Sequence, residues 1–303
     1  MAVATTGFFD GVHTGHRQVI GKLVSTARER GDESLVLTFW PHPRTVFQRD
    51  ARDLRLLNSL DEKKALLASL GVDRTEVLPF TKSFAALTAQ EYIRDILVAR
   101  FGVTAMVVGY DNTLGSDVKG YDDIVSIAKA FDVEVVPAGI GYSEPVDTHG
   151  HKDIISHGIK VSSTKIRKAL EAGEIETAEQ MLGYRYGLRG VVVAGNRMGR
   201  TIGFPTANMQ LYEPLKLVPC GGVYAVDVEV MGRQFQGMCN IGVRPTVGGT
   251  FRTIETNIFD FDEDIYGLDL TIRFRRFLRP EQKFPSLEAL RDQLTLDRIA
   301  CKA

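Results

Sequence analysis

The chain has 303 residues, 44% of them hydrophobic, and its 37 Lys and Arg residues nearly balance 38 Asp and Glu residues. This length allows two ordinary domains, each with a core of its own. The near-zero net charge excludes a global field that would attract nucleic acid, an anionic membrane or another polyanion. Charged ligands must therefore be held by local sites.

Cysteine usage and the N-terminal residues indicate the compartment. Cys220, Cys239 and Cys301 lie far apart without CxxC spacing, which excludes a zinc cluster or a disulfide framework built on them. The opening residues, MAVATTGFFDG, lack the basic start and long apolar run of a signal peptide, and no apolar stretch reaches membrane-spanning length. We expect a cytoplasmic protein with no membrane segment.

The first half of the chain alternates short β-branched runs with amphipathic helical segments, a pattern typical of βαβ units and a parallel sheet. The first helix begins near Gly15. The predicted strands are Val3–Phe9, Ser34–Phe39, Thr75–Phe80, Ala105–Tyr110 and Val133–Ala138. The helix signals are two capping boxes, Ser59 with Glu62 and Thr88 with Glu91, and two helix-ending glycines, Gly71 and Gly102.

The second half changes its hydrophobic period. Residues 141–158 read as a long polar loop, and a helix is predicted from Ser163 to about Leu182. After Gly183, period-two strands separated by glycine turns predict an antiparallel barrel, which includes the segments LRGVVVAG, GVYAVDVEVMG, RQFQGMCNIG, TIETNIFDF and LDLTIRFRRF. A last helix spans about Leu287 to Ile299. We therefore expect two domains, residues 1–182 and 183–303.

A candidate phosphate site follows the first strand, in the segment GFFDGVHTGHR. The strand ends at Phe9, Asp10 and Gly11 make a tight turn, and His13 and His16 enter a helix. Imidazoles beside the free N–H groups of a helix N-terminus can bind an anion. The segment also follows the carboxyl end of a strand, where open α/β sheets usually bind ligands. The alternatives are a metal pair, for which no third ligand is evident, and a turn without chemistry.

A second candidate site lies in GNRMGRTIGFPTAN, residues 195–208. Its glycines allow close approach of the backbone to a ligand, and Thr206 and Asn208 offer small oxygen ligands suited to Mg²⁺. Glycine spacing alone is weak evidence, because a polar loop on a barrel has the same composition.

Four segments of the first half resemble motifs of prokaryotic FMN adenylyltransferases, relatives of the HxGH nucleotidylyltransferases. GFFDGVHTGHR resembles GxFDGVHxGH, TFWPHPR resembles TFxPHP, FAALTAQEYI resembles FxxLTxxEF, and VSSTKIRKAL resembles ISSTxIR. The resemblance implies catalytic roles for His13 and His16. It implies nucleotide or phosphate binding by Gly7, Phe9, Asp10, Gly11, Asp111, Ser163, Thr164 and Arg167.

The second half resembles riboflavin kinases, since GRTIGFPTAN matches their GRxxGFPTAN motif and further segments follow in family order. The resemblance implies that Thr206 and Asn208 contact Mg²⁺ and ATP phosphate. It implies a phosphate loop shaped by Gly199, Arg200, Gly203 and Pro205. An alcohol nucleophile, whose pKa lies close to that of water, needs a positioned base, and the resemblance implies Glu255, which stands where the family has its catalytic glutamate. For an arbitrary glutamate, a solvated strand carboxylate is the commoner reading.

Taken together, the chain resembles bacterial bifunctional riboflavin kinase/FMN adenylyltransferases. The implied fold is an α/β Rossmann-like nucleotidylyltransferase domain with a parallel sheet, then an antiparallel β-barrel kinase domain with a C-terminal helix. The implied ligands are riboflavin, FMN, ATP and Mg²⁺, with neither nucleic acid nor membrane as partner.

Three features depart from the family patterns. VVGYDNTLG has Asn112 and Leu114 where the family has two phenylalanines, Asn257 replaces a usual histidine, and the sequence begins almost on its first strand, where relatives usually carry a short leader. VVGYDNTLG motivates one alternative, a monofunctional enzyme: either a riboflavin kinase with a degenerate first domain or a nucleotidylyltransferase that acts on another phosphate-bearing acceptor. A nucleic-acid binder using TIRFRRFLR is another, although alternating Arg and Phe is ordinary for a strand.

Overall fold

The computed structural model describes residues 1–47, 54–109, 114–118, 120–139, 155–156, 159–195, 198–246 and 249–302. The chain divides into two compact units, Met1–Ser163 and Thr164–Ala303. Each unit has buried apolar clusters of its own. Across the described parts of the chain, no helix has the length and apolar character needed to cross a bilayer.

The first unit contains the predicted parallel sheet, with strand order β3-β2-β1-β4-β5. Its strands are β1 (Ala2–Thr6), β2 (Glu33–Trp40), β3 (Arg74–Pro79), β4 (Val103–Val108) and β5 (Glu134–Pro137). The prediction of five strands is confirmed, but β1 ends three residues before Phe9. The reason is that the chain leaves the sheet at Gly7, and Phe9 adopts a left-handed φ of 51°.

Helices cover both faces of this sheet and bury its two apolar surfaces. On one face Ile20 and Leu23 of α1 pack against Val3 and Val36, and on the other Ile93 and Leu97 pack against Leu35. The helices are α1 (Thr14–Arg30), α2 (Pro43–Phe47), α3 (Leu60–Ser69), α4 (Lys82–Ala85), α5 (Ala89–Glu91), a π-helical stretch (Tyr92–Val98), α6 (Ala99–Phe101) and α7 (Tyr121–Lys129).

Both predicted capping boxes are present. The Ser59 hydroxyl accepts a hydrogen bond from the Glu62 backbone N–H (3.1 Å), and the Glu62 carboxylate accepts one from the Ser59 N–H (2.8 Å). Thr88 and Glu91 make the same reciprocal pair, with distances of 3.2 and 2.8 Å. Gly102 ends α6 at a left-handed φ of 62°, as its position in the sequence indicates.

The sequence predicts a single helix from Ser163 to about Leu182, and this prediction is wrong. The segment forms α8 (Ser163–Ala172) and α9 (Ile175–Leu182), separated at Gly173, whose φ is 81°. The Gly173 and Glu174 N–H groups close the end of α8 by donating to the carbonyls of Leu170 and Ala169. The helix stops there because a glycine in the left-handed region reverses the chain.

The long polar loop predicted for residues 141–158 lies mostly outside the described residues. Where the backbone is described, β6 (Ile155–Ser156) pairs with β7 (Ile159–Lys160) as a short antiparallel ladder.

The second unit is a closed antiparallel barrel with strand order β10-β11-β12-β9-β8-β13. Its strands are β8 (Gly187–Val193), β9 (Ala207–Leu211), β10 (Gly222–Val230), β11 (Arg233–Thr246), β12 (Gly249–Ile258) and β13 (Asp269–Arg279). The predicted barrel is confirmed. Strand β9 was missed, because its sequence ANMQL lacks the β-branched and aromatic residues that mark strands.

Two helices complete the second unit. The short α10 (Met198–Thr201) follows β8, and α11 (Leu287–Lys302) is the predicted last helix, three residues longer than expected. Cys301 and Leu294 of α11 pack with Phe204, Met238 and Ala225 in an apolar cluster. Side chains alternate between the two faces of a strand, and the neighbours of Met238 and Ala225 face the barrel interior. Met238 and Ala225 therefore face outward, and α11 covers an outer face of the barrel.

The capping box at Ser59 allows a test of the first unit alone, because the single tryptophan of the chain, Trp40, lies in β2. Replacing Ser59 with Ala removes the acceptor for the Glu62 N–H, and we expect it to lower the free energy of unfolding by about 1 kcal/mol. The measurement is urea unfolding followed by Trp40 fluorescence. Ser69→Ala, at an exposed hydroxyl of the same helix, is the matched control, and an equal loss in both variants would contradict the capping role.

Candidate active sites

A strained loop joins β1 to α1 and shapes the first site. Phe9, Gly11 and Val12 all have positive φ values, of 51°, 87° and 37°. A side chain at Gly7 would put its Cβ 2.9 Å from the Phe9 ring, so this close approach requires glycine. Such loops turn backbone N–H groups toward one point, as phosphate-binding loops do.

His13 and His16 lie where this loop enters α1. His13 is the N-cap residue, and its Nδ1 accepts a hydrogen bond from the His16 backbone N–H at 3.3 Å. The two rings stack at a centroid distance of 3.6 Å, and the Phe9 ring meets His16 edge-on at 5.4 Å. Because Nδ1 of His13 is an acceptor, its Nε2 carries the N–H that a ligand can use.

Burial keeps both imidazoles neutral at physiological pH. It lowers the pKa of His13 to about 4, opposed by a hydrogen bond to the backbone. The pKa of His16 is lowered well below its ordinary value, first by burial and then by the charges of His13 and Lys63. Nδ1 of His16 is buried and has no hydrogen-bond partner among the described residues. The pair therefore offers hydrogen bonds rather than positive charge.

Asp10 ties the loop to two other segments. Its buried carboxylate accepts hydrogen bonds from the backbone N–H groups of Leu57 (3.0 Å) and Asn58 (3.4 Å). Its carbonyl accepts one from the Ser163 hydroxyl at 2.9 Å. The structure thus brings together Asp10, Ser163 and the two histidines, all of them predicted site residues.

An aromatic cleft of about 400 Å³ opens beside this loop. Gly7 and Phe8 form one wall, and Leu114 lies in the lining where the family pattern has a phenylalanine. Four further aromatic residues line the cleft: Phe39, Phe80, Phe84 and Tyr92. The sequence does not mark them as site residues, although Phe39, Phe84 and Tyr92 stand in the quoted motifs. A flat aromatic ring system can stack in such a cleft.

The sequence predicts three further residues for the first site: Thr164, Arg167 and Asp111. Thr164 and Arg167 lie on α8, in the second compact unit. Asp111 lies outside the described residues.

The second site lies on the outer face of the barrel. In the strand register Glu255 of β12 stands opposite Asn240 of β11 on one side and Asn208 of β9 on the other. Directly opposed residues share a face, so the three side chains project together. The Thr206 hydroxyl lies 3.4 Å from the Glu255 carboxylate and donates to it.

A pocket of about 320 Å³ opens beside Glu255 and Thr206. Leu290 and Leu294 of α11 form its apolar side. The polar lining also includes Asn240, Asn257, Arg279 and Glu281. A ligand with an aromatic body and a polar chain fits this combination of walls.

Asn257, which replaces the histidine of the family pattern, fixes the GFPTAN segment. Its side-chain N–H donates to the Pro205 carbonyl at 2.6 Å, and the residue is buried. This bond sets the position of Thr206, the next residue, relative to Glu255. The sequence marks Asn257 only as a departure from the family pattern and predicts no role for it, whereas the structure places it in the pocket lining.

The glycines of the second loop permit close packing. A Cβ at Gly199 would lie 2.2 Å from the Phe204 carbonyl oxygen, and Gly203 has a φ of 82°. The Gly199 carbonyl accepts from the Phe204 N–H at 2.8 Å, which closes the turn. Arg200 lies within it, exposed to solvent.

The lowered pKa of His13 predicts a pH dependence of stability. An unfolded chain binds a proton at this residue below its ordinary pKa of about 6.5, whereas the folded chain does so only near 4, so stability falls as pH drops through this window. His13→Asn keeps an N-cap acceptor and removes the titrating group. We expect it to reduce the slope of the free energy of unfolding against pH by up to about 1.4 kcal/mol per pH unit. Urea unfolding between about pH 4.5 and 6.5 measures it. An unchanged slope would show that His13 titrates normally.

Comparisons with known proteins match each half of the chain to a family model. Residues 1–147 match the family model of FAD synthetase, and residues 182–303 match that of riboflavin kinase. A bifunctional riboflavin kinase/FMN adenylyltransferase of Listeria monocytogenes is 39% identical over 306 residues, covering 99% of this chain and 91% of the relative. The Escherichia coli protein of that name is 37% identical over 301 residues, with the same coverage.

A crystal structure from Streptococcus pneumoniae, described as a macrolide-efflux protein, matches with a TM-score of 0.86 and 34% identity. It covers 99% of this chain and 93% of that one. The two-unit architecture is therefore shared along the whole length. Given these matches, the chain belongs to the bifunctional riboflavin kinase/FMN adenylyltransferase family.

Proposed function

We propose that this chain makes FAD from riboflavin in two ATP-dependent steps at separate sites. The barrel site phosphorylates riboflavin to FMN, and the site beside α1 transfers AMP from ATP to FMN with release of pyrophosphate. The observation that carries this proposal is that each unit has a pocket with apolar walls beside a polar segment: the loop that leads to His13 contributes Gly7 and Phe8 to one pocket, and Thr206 and Glu255 line the other.

We place the functional boundary near Gly183, giving an adenylyltransferase of residues 1–182 and a kinase of residues 183–303. The compact units divide earlier, at Ser163. The link between the Ser163 hydroxyl and the Asp10 carbonyl supports assigning the start of α8 to the adenylyltransferase site. Thr164 and Arg167, farther along α8, belong to it in this proposal, as does Asp111.

In the kinase step Glu255 acts as general base. The ribityl alcohol must lose its proton as it attacks the γ-phosphate, and a carboxylate on the pocket wall is placed to accept it. Gly199, Arg200, Gly203 and Pro205 form the phosphate loop.

We propose that Mg²⁺ is held by the Thr206 hydroxyl and the Asn208 amide oxygen. Both are small oxygen donors of the kind that Mg²⁺ prefers, and they stand beside the Glu255 carboxylate. When bound, the ion would neutralise charge on the phosphate oxygens of ATP.

In the adenylylation step the FMN phosphate, with a second pKa of about 6, needs no base. His13 and His16 donate hydrogen bonds to phosphate oxygens, together with backbone N–H groups of the loop from Gly7 to Gly11 and the start of α1. The aromatic cleft takes the isoalloxazine ring, and Leu114 keeps its wall apolar. We therefore favour two activities over a kinase with a degenerate first domain.

We place the protein in the cytoplasm, with riboflavin, FMN and ATP as its partners. Nucleic acid is not proposed as a partner, because the arginines of TIRFRRFLR are engaged within the protein. Arg279 makes a bidentate pair with Asp297, Arg273 pairs with Glu229, and Arg276 donates to the Ala300 carbonyl.

Glu255→Gln tests the separation of sites. Because it removes the proposed base and keeps the size of the side chain, we expect riboflavin kinase turnover to fall by at least about 100-fold. FAD formation from supplied FMN should stay within about twofold of the unmodified protein. Separation of flavins after incubation with ATP and Mg²⁺ measures both activities in one sample.

The reciprocal variant is the control. A double change of His13 and His16 to Ala should abolish FAD formation and leave FMN formation intact. Loss of both activities in either variant, with the fold retained by circular dichroism, would refute the two-site proposal.

A further inference from the structure

A buried lysine lies next to the first site, and the mechanism above does not use it. Lys63, on α3, is 1% exposed to solvent. Its ammonium is 3.4 Å from the Thr38 hydroxyl and 3.8 Å from the centroid of the Phe8 ring. An ammonium has three N–H donors, so one long hydrogen bond and one ring contact, the contacts it makes with described residues, leave it poorly compensated.

The position of this ammonium is fixed by the loop that forms the site. The Asp10 carboxylate accepts N–H bonds from Leu57 and Asn58, and the capping box at Ser59 then starts α3 one turn before Lys63. Thr38 donates its hydroxyl proton to the Phe8 carbonyl at 3.3 Å. Lys63 therefore contacts Phe8 and Thr38, whose hydrogen bond helps to fix the path of the β1–α1 loop.

Two titratable side chains interact with Lys63 electrostatically. Asp10 of the loop favours its charged form, and Lys63 in turn disfavours a charge on His16 of α1. Burial dominates and lowers the pKa of Lys63 to about 8. A poorly paired buried cation is unfavourable for folding, so packing alone would favour an apolar side chain here.

We propose that Lys63 is a positioning residue for adenylylation: its ammonium holds the Phe8 ring in place, attracts the Asp10 carboxylate and supplies positive charge next to the β1–α1 loop. This inference rests on the function proposed for the first unit. Phe8 is a wall of the aromatic cleft, and Asp10 orients the loop, so the ring contact and the attraction to Asp10 both act on the site. With nearly full burial, Lys63 acts through these neighbours and through its field, not by touching substrate.

The need for this charge follows from the two histidines. His13 and His16 are neutral at physiological pH, so they align phosphate oxygens and do not offset their charge. Adenylylation brings the FMN phosphate against the phosphates of ATP, and the repulsion must be reduced. A charge in a region of low dielectric constant acts over several ångströms and is not screened by water.

The test compares Lys63→Met, Lys63→Gln and Lys64→Met. Met keeps the length of the side chain, Gln keeps a donor for Thr38, and Lys64 is the exposed neighbour on α3. FAD formation from supplied FMN and riboflavin kinase activity are measured between about pH 6.5 and 9.5, with melting temperatures. We expect both Lys63 variants to lose about tenfold or more in kcat/KM for FMN at neutral pH.

The pH profile separates an electrostatic role from a structural one. In the unmodified protein, kcat/KM for FMN should fall as pH rises through about 8, where the ammonium loses its proton. This decline should be absent from both Lys63 variants and present in Lys64→Met, while kinase activity stays unchanged in all three. Lys63→Met should melt at or above the temperature of the unmodified protein, because it removes a buried charge.

Three results would overturn the inference. The first is FAD formation by Lys63→Met at the unmodified rate. The second is full activity in Lys63→Gln, which would show that a neutral donor suffices. The third is a lowered melting temperature with the pH decline still present, which would make Lys63 a structural residue. An unmodified protein that makes FMN but no FAD would instead refute the adenylyltransferase function itself.

Discussion

The bonds made by Asp10 are the constraint on which the first site depends. Its carboxylate fixes the segment before α3, and its carbonyl receives the hydroxyl of Ser163, so three distant parts of the sequence meet at one turn. That turn delivers His13 to the N-cap of α1 and Phe8 to the cleft. A loop with three positive-φ positions among four residues, Phe9, Gly11 and Val12, would not hold its shape without such ties.

The second site obtains the same rigidity from strand register. Glu255 is fixed between β11 and β9, and Asn257, two residues later on the same face, holds the Pro205 carbonyl. Thr206 therefore reaches Glu255 from a loop whose other end is closed by Gly199. In the proposed function, phosphoryl and adenylyl transfer both depend on side chains whose positions are set by backbone hydrogen bonds.

Local signals in the sequence were sufficient for the sheet, the capping boxes, the barrel and the histidine corner, because each depends on neighbours within a few residues. The break at Gly173 was missed because the residues on both sides have good helical patterns, and β9 because pairing with β12 overrides its weak strand propensity. Lys63 and the aromatic cleft could not be predicted from such local signals. Their significance lies in residues far apart in sequence, such as Phe8 and Phe80, that only the fold brings together.

Two separate sites on one chain, acting in sequence on a flavin, are tested most directly by incubating the purified protein with riboflavin, ATP and Mg²⁺ and separating the flavins over time. We expect FMN to appear first and FAD to follow at its expense. Accumulation of FMN with no FAD, or unchanged riboflavin, would contradict this account.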